Sequence, residues 1–152
     1  MDLPGDVASA VSPLFEVLPM EDAMQRLVPS GGVGGEALAA AAAVMNDPAL
    51  SGRDALKAGL WLYVDELDRS HDISQGMKDA TGSYWHAIMH RREGDFWNSK
   101  YWYRNAGSHP AMAGFDPYTF VDQVEEAGED DADLVSQQQQ EWQTLFEWCA
   151  KG

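Results

Sequence analysis

The sequence predicts an all-α protein: an irregular bundle of about five main helices preceded by an irregular N-terminal arm rich in proline and glycine. Three observations lead there. No stretch alternates apolar and polar residues for long enough to make a half-buried strand. Apolar residues instead recur three and four positions apart in several segments. Residues that start and stop helices punctuate those segments in the right order.

The whole chain, 1–152, reads as a single domain, with residues 1–35 as arm and loop and 36–150 as the bundle. Pro4, Pro13, Pro19 and Pro29 interrupt the arm, and Ser30 to Gly35 closes it with four glycines. That density permits short helices only, such as Glu21 to Val28, with Leu14, Phe15, Leu18 and Met24 packing on the body. An alanine-rich helix spans Glu36 to Met45 and stops before Asn46-Asp47-Pro48. Ser51 with Asp54 resembles a capping box that opens a helix to about Arg69, its apolar stripe running through Leu56, Leu60, Tyr63 and Leu67. A helix from Ser83 to Glu93 ends at Gly94. Asp95 caps the next, Phe96 to Ala106, which ends at Gly107. Asp116-Pro117 places a cap and a first-turn proline ahead of a helix to Ala127. Leu134, Gln138, Trp142, Leu145 and Cys149 mark an amphipathic C-terminal helix.

Charge narrows the classes of function. With 25 acidic and 10 basic residues the net charge is −15, which disfavours nucleic acid and anionic membrane surfaces as partners. The single cysteine, Cys149, excludes an internal disulfide and suits a reducing compartment. The first residues lack the basic and apolar regions of a secretory signal, so the expected location is cytoplasmic. A small-molecule ligand remains as a partner class, and a homo-oligomer is left open. Charge is also uneven: residues 1–68 carry −8 and 111–152 carry −9, whereas 69–110 carry +2 and hold all four histidines.

That middle segment contains Tyr84-Trp-His-Ala-Ile-Met-His-Arg-Arg-Glu-Gly-Asp95, then Asn98-Ser-Lys-Tyr-Trp-Tyr-Arg104 and Gly107-Ser-His-Pro110. Over roughly residues 54–110 these strings resemble a family of small microbial helical proteins. The resemblance implies no known activity, so chemistry must come from the residues.

At about 100° per residue, His90 lies about 40° from His86 on a helix and Glu93 about 20° to the other side, so the three share one stripe. Two histidines and a carboxylate so placed can reach one divalent transition metal such as zinc. Glu66 and His71, bordering or extending the preceding helix's apolar stripe, are the candidate additional ligands; Asp65 and Asp68 are expected to face water. The commoner meaning of His-x-x-x-His is a buried hydrogen-bonded network, and the metalloprotease glutamate is missing from inside the pair.

The run Phe96, Trp97, Tyr101, Trp102, Tyr103 puts rings on every side of its helix. Core packing with cation–π contacts is the plain account. The functional one is an aromatic-walled pocket for a small polar or anionic molecule, contacted by His86, His90, Trp97, Asn98, Lys100, Tyr101, Arg104 and His109. Arg91, Arg92, Lys100 and Arg104 can bind an anion, or can pair with Asp65, Asp68, Glu93 and Asp95. Three functions stand side by side: a small-molecule-binding domain, a metal-dependent hydrolase or lyase, and a structural or oligomerisation module with the cluster as core.

Overall fold

The computed structural model describes residues 1–152 and is helical throughout, with no strand. It has eight α-helices, more than the roughly five main helices expected and two more than the six segments placed from the sequence: α1 (Gly5–Val17), α2 (Gly35–Val44), α3 (Asp54–Tyr63), α4 (Leu67–Ser74), α5 (Ala80–Arg92), α6 (Phe96–Ala106), α7 (Pro117–Ala127) and α8 (Ala132–Lys151). No helix is long and apolar enough to cross a membrane.

The undercount has two physical sources. The N-terminal arm holds the regular helix α1 despite the interior Pro13. That proline removes a backbone hydrogen bond and crowds the preceding turn, at about 3 kcal/mol. Burial of Val7, Ala10, Val11 and Leu14, spaced as one helical stripe, offsets it. Residues 21–28 form no α-helix beyond the short turn Met20–Asp22. They run as a strap whose backbone carbonyls are satisfied from other elements. Gln138 Nε2 donates to the carbonyls of Met24 and Arg26, and Gln139 Nε2 to those of Met20 and Ala23.

The second source lies in the helix expected from Ser51 to Arg69, which is two helices. Ser51 is not its cap: α3 starts after Arg53 without a side-chain capping bond. The chain breaks at Val64–Glu66, where Asp65 adopts a left-handed φ of 60°. Ser70 on α4 then folds back, its Oγ donating to the Ala58 carbonyl of α3 at 2.9 Å. The break turns α4 so that it packs against α5 as well as α3.

One core joins α1 to α6 and α8, with Trp85, Tyr63, Phe146 and Trp142 at its centre. A smaller cluster of Leu27, Phe120, Val124, Leu134 and Val135 ties the strap to α7 and α8. The most extensive helix pairing is α5 with α6, where Ser99 Oγ donates to the Ala87 carbonyl at 2.7 Å. A small residue at that crossing lets the two backbones approach.

Two arginines on the last turn of α5 turn inward. Arg91 pairs with Glu141 at 2.8 Å, donates to Gln138 Oε1 and the Tyr103 hydroxyl, and lies over the Phe120 ring. Arg92 pairs with Asp65 at 2.6 Å and donates to the carbonyls of Leu62 and Arg26. Asp65 therefore does not face water as expected, because a fully buried guanidinium needs its carboxylate. Asp68 is exposed. Lys100 pairs with Asp122 of α7, whereas Arg104 is exposed and makes no ion pair.

Candidate metal centre

Three histidines from two helices converge. His86 and His90 lie one turn apart on α5, their rings stacked with centroids 4.7 Å apart. His71 of α4 meets both edge-on, at 4.6 Å from His86 and 5.6 Å from His90. One nitrogen from each ring lies within 4.8 Å of those of the other two. An ion about 2.1 Å from each nitrogen in tetrahedral geometry would hold them about 3.4 Å apart, so side-chain rotation of roughly an ångström closes the set.

Each ring has a different environment. His86 is buried, and its Nδ1 is sealed from water without a hydrogen-bond partner. Burial, then the charges of His90 and His71, push its pKa down to about 4. At neutral pH it is therefore an uncharged imidazole with a lone pair to give, the form a metal requires. The indole of Trp102 stacks on it at 3.9 Å and 11°. His90 is mostly buried, with 12% of its side chain exposed, and its Nδ1 donates to Glu93 Oε1 at 2.5 Å. A carboxylate on one imidazole nitrogen fixes the ring and leaves Nε2 as the ligand atom. His71 sits on α4 beside Ser70, whose bond to α3 fixes that turn.

Glu66 does not join this set. It precedes α4, and its carboxylate lies against Gly32, where an added Cβ would stand 2.9 Å from its carboxyl carbon. Glu93 and Asp95 form a second group with His90, their donor atoms also within 4.8 Å of one another.

His109 lies elsewhere. Its Nδ1 accepts from the Ala111 amide at 3.0 Å, so Nε2 carries the proton and donates to Thr81 Oγ1 at 2.9 Å. The ring packs between Tyr84 and Trp148, and burial lowers its pKa. Both nitrogens are committed to holding the Pro110 turn against α5.

The remaining ring and polar candidates lie along the outside of α6. Trp97 is 71% exposed and stacks on the exposed Tyr101 at 6.0 Å. Asn98 donates to Asp95 Oδ2 at 2.6 Å. A cavity of about 340 Å³ opens instead beside Tyr84, Phe115, Gln140, Glu141 and Thr144, and contains none of Trp97, Asn98, Lys100, Tyr101 or Arg104.

Trp102 is the centre's neighbour that the sequence reading left out of the site. Its signal was Ser99: a small residue on the face of α6 that meets α5 implies that the ring one turn later covers α5 as well.

The chain matches no protein-family model, no curated protein and no solved structure. Its chemistry is accordingly read from the histidines themselves.

Proposed function

We propose that this is a metal-binding protein whose centre is a three-histidine site, His71, His86 and His90, for a divalent transition metal such as zinc or copper. The observation that carries the reading is the buried, unpartnered Nδ1 of His86 in a ring that meets two further imidazoles. A buried polar atom without a partner costs about 1–3 kcal/mol in an ordinary core. Three imidazoles around an ion turn such a ring into a ligand. Neutral nitrogen donors suit zinc and copper and do not suit calcium or magnesium. Glu93 acts on the centre by orienting His90.

Three protein ligands leave a tetrahedral ion one open position, the arrangement that serves metal-assisted hydrolysis. Binding is the function proposed here, because the five main cavities of the fold are lined by residues other than His71, His86 and His90.

Untagged protein, dialysed against zinc and then metal-free buffer, is expected to retain metal and to melt at higher temperature than the stripped form. Cobalt substitution is expected to give the intense visible bands of a tetrahedral nitrogen site. His86→Ala should abolish both. Retention of no metal by a folded wild-type protein would overturn the reading and leave the histidines as a packed network around Trp102.

A further inference from the structure

His90 belongs to two donor groups at once. On one side are His71 and His86; on the other are Glu93 and Asp95. We infer that the centre holds two metal ions, with the His90 ring bridging them: Nε2 to the three-histidine ion and Nδ1 to a second ion shared with Glu93 and Asp95. This rests on the three-histidine reading above.

The second group is built by the helix end. Gly94 has a φ of +85°, a conformation natural to glycine, and it reverses the chain directly after Glu93. The Asp95 amide then donates to the His90 carbonyl at 2.9 Å, which pins Asp95 beside the His90 turn. Nδ1 of His90 already faces Glu93 Oε1. Asp95 accepts from the Asn98 amide through Oδ1 and from its side chain through Oδ2, and each oxygen retains a second lone pair. Glu93 is exposed and free to swing outward, making room for an ion between its carboxylate and the ring.

The site lies between the carboxyl end of α5, where the helix dipole is negative, and the amino end of α6, where it is positive, so the attraction for a cation comes from the Glu93 and Asp95 carboxylates. The two neighbouring cations do not oppose it, because Arg91 and Arg92 point inward and are neutralised by Glu141 and Asp65. Bridging also requires the ring to release its Nδ1 proton to bulk water. The resulting imidazolate carries one negative charge between the two ions and reduces their repulsion.

The test is copper and zinc titration of the full untagged chain, with bound metal counted after dialysis and the copper form read by electron paramagnetic resonance. Two ions per chain are expected, and the dicopper form should show the half-field signal of a coupled pair. Glu93→Gln, whose amide oxygen still accepts from His90 Nδ1 and so keeps that ring oriented, combined with Asp95→Asn should bind one ion and lose the coupling. Asparagine keeps the cap of α6, so this variant should melt near the wild type. One ion per wild-type chain would overturn the second site while the three-histidine reading stands. Two uncoupled copper ions would overturn the bridge. No bound ion would overturn both readings.

Discussion

Arg92 of α5 and Asp65 form an ion pair at the break between α3 and α4: a fully buried guanidinium sits 2.6 Å from the carboxylate of a residue with φ 60°. The pair joins the end of α5, which carries His90, to the bend that aims α4 and His71. Burial lowers the Arg92 pKa despite Asp65's charge, so the carboxylate is needed to keep that charge indoors.

Asp65→Ala should therefore destabilise the protein by about 3–5 kcal/mol in urea unfolding, since it leaves a buried charge alone and puts alanine in a left-handed conformation. Asp65→Asn should cost less, because asparagine tolerates that conformation and still accepts from Arg92. Equal costs for the two variants would refute this account. Metal affinity should fall with Asp65→Ala, through the displaced His71.

Glu141→Leu removes the partner of Arg91 and a bond from the Tyr103 hydroxyl at 2.6 Å. A loss of about 3–5 kcal/mol is expected. The double change Arg91→Met with Glu141→Leu should recover much of it, since it replaces a buried pair by apolar groups. A double-mutant cycle with strictly additive losses would show that the two residues act independently.

Gly59→Ala tests the packing of α3 on the core. A Cβ there would stand 2.7 Å from Trp85 Cζ2 and 3.2 Å from Phe146 Cδ1, and both rings are fully buried. Overpacking should cost about 1–3 kcal/mol. Thermal melting at or above the wild-type temperature would contradict the tight contact.

His109 predicts a pH dependence for the metal-free protein. Its pKa is lowered on folding, mainly by burial, with Asp79 opposing, so below the unfolded value of 6.5 the unfolded chain binds more protons than the folded one. Its contribution to stability is then complete above pH 6.5 and is lost as the pH falls through the folded pKa. His109→Asn can still accept from the Ala111 amide but does not titrate, and it should flatten that part of the stability profile. An unchanged profile would remove His109 as its source.

Much was legible in the sequence because local rules decide it. Asp95 and Gly107 bound α6, and Asp116-Pro117 opens α7, where capping oxygens and a first-turn proline act within a few residues. The stripe of His86, His90 and Glu93 followed from the helical period alone, and the structure keeps His90 and Glu93 in contact.

Contacts between distant segments had to be decided by the tertiary structure. Pro13 argued against a helix that the burial of Val7 and Leu14 stabilises, and the strength of that burial depends on what packs above them. Gln138 lies in the stripe that marks the C-terminal helix, and only the fold shows that it and Gln139 carry the strap's carbonyl bonds from more than 110 positions away. Asp65 looked solvated until Arg92 arrived from α5. The choice between Glu66 and His71 beside the α5 histidines depended on a bend that one left-handed residue creates. Propensity and periodicity marked most helix ends after residue 80 and one stripe of donors, whereas the burial of a charge and the turn it enforces brought the third histidine to that stripe.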